Sequence, residues 1–253
     1  MTCGEDSKQN SCKVRRRSLE KSRFLVVGGN SGIGRSIVCI LDSYGHDVTI
    51  YDKNISEDMR NKHRCFQMDL RDISSVENFS NDILPELGIN NLVYSAGYQE
   101  NVDILELDND SWEKMFRVNV GSAFSISKAV ARNIVKERKG TLAYISSIHG
   151  EIIREIPHYS ASKAAQNMMM KEFAYKLAEF GGRSFSIAPG SIDTPLLRKD
   201  LNTEALIHEG ENNIPMLRHG SPEEVAKLYY SLLETEYLTG TVVVIDGGLS
   251  LII

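Results

Sequence analysis

Tyr159 and Lys163 stand four residues apart in the run Tyr159-Ser160-Ala161-Ser162-Lys163. On a helix that spacing puts both side chains on one face. A phenol ordinarily titrates near 10, and a neighbouring ammonium favours the phenolate and lowers that value. The pair is therefore predicted to act as an acid/base near neutral pH. A tyrosine and a lysine at this spacing are also an ordinary helix-surface pair, so the surrounding residues decide. Ser146-Ser147 closes an apolar run just upstream. A hydroxyl there can donate to a substrate carbonyl oxygen and stabilise charge developing on it. Asn119 lies between Val118 and Val120. Asparagine is a poor helix-interior residue and usually faces solvent, but between two valines it is expected to serve an inward polar role.

A second constellation reads as a dinucleotide site. Gly28-Gly29-Asn30-Ser31-Gly32-Ile33-Gly34 follows the apolar run Phe24 to Val27 and opens a helical stretch. Glycines at 28, 32 and 34 permit a tight turn and a close backbone approach to a pyrophosphate. The helix N-terminus then offers N–H groups and positive dipole to the phosphates. A glycine-rich stretch alone is only a turn; the strand–turn–helix context makes it a fingerprint. Asp52 ends the next apolar run, 20 residues beyond Gly32. A carboxylate there can accept both ribose hydroxyls and would repel a 2′-phosphate, which favours NAD over NADP. Lys53, a basic neighbour, works against that repulsion.

The elements that must position these residues follow from apolar runs alternating with amphipathic stretches. Strands are predicted at Phe24–Val27, Asp47–Tyr51, Arg64–Met68, Asn91–Ser95, Thr141–Ser146, Ser184–Ala188 and Val242–Ile245. Helices are predicted at Ile33–Tyr44, ended by Gly45, and at Ile73–Leu84, stopped by Pro85. A long helix is capped by Ser111 and runs to about Arg138, with Gly140 as its stop. Another spans Tyr159–Phe180, ended by Gly181 and Gly182. Ser221-Pro222-Glu223-Glu224 has the cap, proline and early acids of a further helix start. Continuous apolar strands alternating with helices imply an α/β, Rossmann-type doubly wound parallel sheet of about seven strands with helices on both faces. One catalytic domain over 23–253 is expected, with a substrate loop at 189–220.

Composition excludes several classes. The net charge of −5 over 253 residues is not the footprint of a nucleic-acid binder. Residues 1–23 carry seven Lys/Arg against three Asp/Glu. Residues 1–22, with Arg15, Arg16 and Arg17, read as a disordered basic tail without the apolar stretch of a secretory signal. No run approaches the roughly 18 apolar residues of a membrane span. Cys3, Cys12, Cys39 and Cys65 form no CxxC pair, so no metal site is expected. Cys39 and Cys65 are expected to be buried thiols, and a reducing cytoplasm is the expected location.

Taken together, these motifs resemble the short-chain dehydrogenase/reductase family from about Arg23 to the C-terminus. Further matches are Asp69 and Leu70 after the third strand, Ala96-Gly97 after the fourth, with Ser95 before them still able to donate a hydrogen bond to the cofactor, Pro189-Gly190 with Ile192 and Thr194, and Asp246-Gly247-Gly248. The resemblance implies that Ser147 orients the substrate oxygen and Tyr159 passes the proton. It implies that Lys163 tunes the tyrosine and holds the nicotinamide ribose, and that Asn119 supports a water-linked proton path. Asp69 would hold the adenine, and Ile192 and Thr194 the nicotinamide amide. Three positions depart from the family pattern. Val27 replaces a threonine, Tyr94-Ser95 replaces Asn-Asn, and the interval from Ser147 to Tyr159 is one residue short.

Gln99 and His149 resemble carboxylate-holding positions of 3-hydroxybutyrate dehydrogenases, and the Ser-Ile-His run is similar to that of glucose dehydrogenases. With Arg154, these residues point to a small hydrophilic hydroxy acid, polyol or sugar. The implied activity is hydride transfer between NAD(H) and a secondary alcohol or ketone. A biosynthetic ketoreductase and a non-catalytic NAD-binding scaffold or redox sensor are the rival readings. The resemblance also implies a homo-oligomer, tetramer or dimer, through the two long helices and the apolar end Leu249 to Ile253.

Overall fold

The computed structural model describes residues 21–200, 210 and 212–252. The expected basic tail lies outside these but for its last two residues. Cys3, Cys12, Ile253 and residues 201–209 and 211 of the 189–220 loop also lie outside them.

Strand β1 (Arg23–Val27) alternates its side chains between two cores. Phe24 and Val26 enter one, Leu25 and Val27 the other, as the two-residue period of a strand requires. With both faces covered, it is a continuous apolar run. Parallel strands flank it: β2 (Asp47–Asp52) on one side and β4 (Asn91–Tyr94) on the other. Strands β3 (Arg64–Gln67), β5 (Gly140–Ile145), β6 (Gly182–Pro189) and β7 (Val242–Ile245) complete a seven-stranded sheet, ordered β3-β2-β1-β4-β5-β6-β7. The order reverses between β1 and β4, and the crevice beyond the C-terminal strand ends there is where such sheets take ligands.

Helices α1 (Gly32–Ser43), α2 (Glu57–Lys62), α3 (Ile73–Asn78), α4 (Leu84–Leu87), α5 (Asn109–Phe116), α6 (Ser122–Glu137), α7 (Pro157–Ala178), α8 (Pro195–Asp200) and α9 (Pro222–Glu234) follow in chain order. On one face, α1 and α9 pack Ile37, Leu41 and Tyr229 against the sheet. On the other, α6 and α7 contribute Ile126, Val130 and Met170. Each side chain of this kind, fully buried, stabilises by roughly 1.5–3 kcal/mol.

Several sequence expectations are corrected. The cap of the long helix is Asp108, whose carboxylate accepts from Ser111 N at 2.7 Å. That helix runs on to Glu137 as expected, but with a π turn at Arg117–Gly121 between α5 and α6. Pro85 does not stop its helix. The π turn Phe79–Ile83 precedes it and places Pro85 in the first turn of α4, where its missing N–H costs nothing; the chain turns instead at left-handed Gly88. Gly140 is no helix stop either. Arg138 takes the left-handed cap of α6, and Gly140 begins β5, where a Cβ would lie 2.0 Å from Asn90 O. Cys39 is exposed, whereas Cys65 is half-buried and packs against the core. Among the described residues no group of His, Cys, Asp and Glu could hold a metal. Among them, too, no helix is long and apolar enough to cross a membrane.

Candidate active site

The glycine turn closes onto the strand beside it. Ser95 N and Ala96 N both donate to Val27 O at 2.9 Å, which draws the chain after β4 under Gly28. Gly28 has a φ of +82°, and a Cβ there would lie 2.7 Å from Ala96 N. At Gly34 a Cβ would lie 2.0 Å from Gly28 O. Side chains at 28 and 34 are therefore excluded by backbone. Gly32 faces Thr194, whose Cγ2 lies 3.3 Å from the position a Cβ would take, so the loops after β1 and β6 meet. Ser31 caps α1 without a side-chain bond to it, and the first turn carries no acid. The N-terminal N–H groups of this 12-residue helix therefore have no internal anion, and they suit a pyrophosphate. Ile33 packs into the core beneath.

Asp52 is fixed by this turn. Its Oδ2 accepts from Asn30 N at 3.0 Å and its Oδ1 from Asn54 N at 3.2 Å. The Asn30 side chain in turn accepts from Ser56 N and Oγ. A carboxylate offers about four lone-pair sites, so both oxygens keep acceptor capacity for ribose hydroxyls. Asp69 is held differently: Arg71 donates to its carboxylate through the backbone N–H and the guanidinium. Leu70 is buried, and its carbonyl accepts from Ser122 Oγ at 2.9 Å. After β6, Gly190 N bonds Ile245 O, and a Cβ on Gly190 would lie 2.6 Å from Asp246 Cβ. Ile192 is buried against Gly220.

Helix α7 begins at Pro157, two residues before the expected start, so Tyr159 sits in its first turn. The buried face of α7 carries Tyr159, Ser162, Lys163 and Gln166 near its start and Met170, Ala174 and Leu177 farther on. Ser147 leaves β5 in extended conformation; its hydroxyl accepts from His149 N at 3.2 Å and lies close enough to the Tyr159 phenol to favour its charged form. The Lys163 Nζ lies 5.6 Å from the centre of the Tyr159 ring and donates to Ile145 O at 2.9 Å. The same amine lies 3.8 Å from where a Cβ on Gly97 would stand. The expectation that the ammonium draws the phenol toward neutral pH does not hold for the residues as the fold places them. Burial pushes Tyr159 up to about 12, against the nearby Ser147 hydroxyl, and lowers Lys163 to about 8.

Asn119 is fully buried in the π turn. Its amide clamps the chain after β4, accepting from Tyr98 N at 2.9 Å and donating to Tyr98 O at 3.0 Å. It also donates to Ser162 Oγ at 3.0 Å. Tyr94, one of the departures from the family pattern, sends its hydroxyl to Val118 O in the same turn at 2.7 Å. A residue the sequence reading missed lies beside them: Gln166 Nε2 donates to Asn119 O at 3.0 Å. A signal was present, since a glutamine three residues after Lys163 falls on the same helical face.

The candidate substrate wall comes from two loops. His149 sets its ring at 5.1 Å from that of Tyr159, edge to face. Burial, then the charges of Arg154 and Lys163, lower His149 to about 4, so it is a neutral imidazole. Arg154 is half-buried nearby. Gln99 is half-buried beside Tyr98 and Glu100, whose carboxylate accepts from the Tyr98 hydroxyl at 2.7 Å.

Comparison with known proteins identifies the family. A family model described as Enoyl-(Acyl carrier protein) reductase matches residues 27–250. The 3-oxoacyl-(acyl-carrier-protein) reductase of Buchnera aphidicola subsp. Schizaphis graminum is 31% identical over 241 residues, spanning 91% of this chain and 98% of that protein. Among solved structures, a 4-hydroxyisoleucine dehydrogenase mutant complexed with NADH and succinate superposes with a TM-score of 0.84 at 27% identity, over 91% of this chain and 99% of the other. ElxO with NADP bound gives a TM-score of 0.82 at 26% identity, over the same shares.

Proposed function

The chain belongs to the short-chain dehydrogenase/reductase family, NAD(P)-dependent oxidoreductases acting on CH–OH groups, and on that premise we propose that it interconverts a ketone and a secondary alcohol on a small polar substrate with NAD(H). The observation that carries this reading is the nearness of Lys163 to the Tyr159 ring, with Ser147 beside the phenol, at the C-terminal ends of β4 and β5.

Bound NAD(H) supplies or takes the hydride. Gly28, Asn30, Ser31, Gly32, Ile33 and Gly34 would hold its pyrophosphate, Asp52 its adenosine ribose, Asp69 and Leu70 the adenine. Ser95, Ala96 and Gly97 would form the floor, and Pro189, Gly190, Ile192 and Thr194 would flank the nicotinamide. The cradle fits, since backbone fills the places where side chains at 28 and 34 would stand. Both Asp52 oxygens sit where a 2′-phosphate would meet negative charge, which supports NAD over NADP.

At neutral pH the Tyr159 phenol, held up at about 12, keeps its proton. It is therefore set to donate to the oxygen of a ketone while Ser147 donates a hydrogen bond to that oxygen. The Lys163 ammonium then faces the phenolate left behind. A protonated Tyr159 is ready to act in reduction, and the Buchnera relative supports the second reading, a biosynthetic ketoreductase. Neutral His149 and the positive charge of Arg154 give the wall a donor and a cation, together with Gln99. That pairing suits a substrate bearing a carboxylate. Trp112, Phe124, Met168 and Tyr175 on α5–α7 are exposed, as are Leu251 and Ile252. They would be covered in a homo-oligomer.

The test is absorbance at the reduced-nicotinamide band with a panel of hydroxy acids, polyols, ketones and 3-oxoacyl thioesters. Turnover is expected with NADH and at least one carboxylate-bearing keto compound, and is lost in Tyr159→Phe. Cofactor binding without turnover on any panel member would favour the scaffold reading. Asp52→Ala is expected to weaken NADH binding and relax discrimination against NADPH; unchanged affinity for both would remove the ribose role.

A further inference from the structure

Lys163 hangs between two parts of the fold. Its ammonium has three protons to place. One goes to Ile145 O at the end of β5, at 2.9 Å. A second lies toward Gln166 Oε1, at 3.5 Å. Gln166 is fully buried, and its other end donates to Asn119 O in the π turn at 3.0 Å. The orientation of this amide is fixed by chemistry. A carbonyl oxygen can only accept, so the NH₂ end must face Asn119 O and the oxygen end must face the ammonium. A flipped amide would set oxygen against oxygen and donor against donor.

We propose that Gln166 is a positioning residue of the reaction: its amide ties the Lys163 ammonium to the π-turn carbonyl of Asn119 and acts through Lys163 on the proton held at Tyr159. The tie does two things. It aims the remaining ammonium proton at the side where Gly97 and Tyr159 lie, because the other two are taken. It also fills with a side chain the gap between the Asn119 carbonyl and Lys163, so the link expected there through water is made by protein. The π turn is what permits this, since it brings the Asn119 carbonyl to the buried face of α7. The inference rests on the roles given above to Lys163 and Tyr159.

Among the described residues, the titratable groups facing Lys163 are Tyr159 on its own helix and His149 from the turn after β5. His149 is neutral above about pH 5 and Tyr159 is protonated below about pH 11, so between these limits a change at Lys163 is its own. The experiment is a ¹³C NMR titration of ¹³Cε-lysine-labelled full-length protein without ligand, the Lys163 signal being assigned by its absence in Lys163→Met. Gln166→Leu removes the acceptor and is expected to lower the proton affinity of Lys163 at least threefold. Gln166→Glu adds charge at nearly constant volume and is expected to raise it at least tenfold. A structural filler would not shift the two variants in opposite directions. Should Gln166→Leu fail to fold, Gln166→Met, a closer match in shape, takes its place as the variant without an acceptor. An unchanged Lys163 titration in Gln166→Glu overturns the proposal.

The basic limb of kcat for the panel ketone that turns over should move in the same direction as the titration. A limb that stays fixed while Lys163 moves overturns the action on Tyr159. Absence of turnover across the panel is a failure of the proposed function, and the ligand-free titration still decides the tie.

Discussion

Lys163 is an ammonium on the core face of α7, 2% exposed, and its burial should be visible in the stability of the whole protein. Burial lowers its proton affinity from 10.5 to about 8. The folded chain therefore binds fewer protons than the unfolded chain between those values, and stability attributable to this group rises with pH across that window. Below pH 8 the full penalty is in force. Each tenfold change in proton affinity is worth about 1.4 kcal/mol, so the penalty at pH 7 is roughly 3 kcal/mol and by pH 10 has shrunk to about 1 kcal/mol. Lys163→Met removes the titration. It also strands Ile145 O and Gln166 Oε1, at a cost of about 1–3 kcal/mol each, but that loss is the same at every pH. The measurement is urea unfolding of wild type and Lys163→Met at pH 7, 8, 9 and 10. The stability difference, mutant minus wild type, is expected to fall by roughly 2 kcal/mol from pH 7 to pH 10. Parallel curves would refute the reasoning, because they would mean that Lys163 titrates alike in folded and unfolded chains. The same protonation predicts that kcat for reduction declines as pH rises through about 8, where the ammonium facing the nascent phenolate is lost.

Tyr159→Phe should reduce kcat by about 10²–10⁴-fold while quenching of protein fluorescence by NADH persists, since the ring stays and only the proton donor goes. Gly34→Ala should abolish cofactor binding and lower the melting temperature, because its Cβ would meet Gly28 O at 2.0 Å; retained NADH affinity would show that the turn can move. Tyr94→Phe leaves Val118 O in the π turn without its 2.7 Å donor and should destabilise by about 1–3 kcal/mol in urea unfolding. Ser221→Ala breaks the capping box of α9, in which Ser221 and Glu224 each accept from the other's backbone N–H, and should cost about 1 kcal/mol without changing kcat.

The residues with local signatures were legible without coordinates. Gly28, Gly32 and Gly34 declare themselves because a tight strand–turn–helix tolerates little else. Tyr159 and Lys163 do so because four residues of helix fix their relative placement. The strands were legible because burial on both faces demands unbroken apolar runs. The exceptions share a cause. Both π turns were missed, since a bulge of one residue leaves no mark on an apolar period read over a long window. Asp108 was passed over for Ser111 because both residue types cap helices, and only the bond from Ser111 N to the carboxylate distinguishes them. Cys39 was placed inside because it falls in an apolar stretch; Ile37, Val38 and Leu41 are indeed buried, yet its own angle on α1 turns it outward.

What the sequence by itself determined is the inventory: a dinucleotide turn, a strand-end carboxylate, and a serine, a tyrosine and a lysine in family order. Local geometry and the periods of helix and strand are short-range properties, so one dimension suffices to read them. Only the tertiary structure decided the protonation of that inventory and its links. Burial at α7 raises Tyr159 and lowers Lys163, whereas the isolated pair suggested a phenol drawn toward neutrality. The π turn carries the Asn119 carbonyl to Gln166, 47 positions away in sequence. Desolvation depends on every element packed around a group, and a hydrogen bond across that distance depends on how the elements stack.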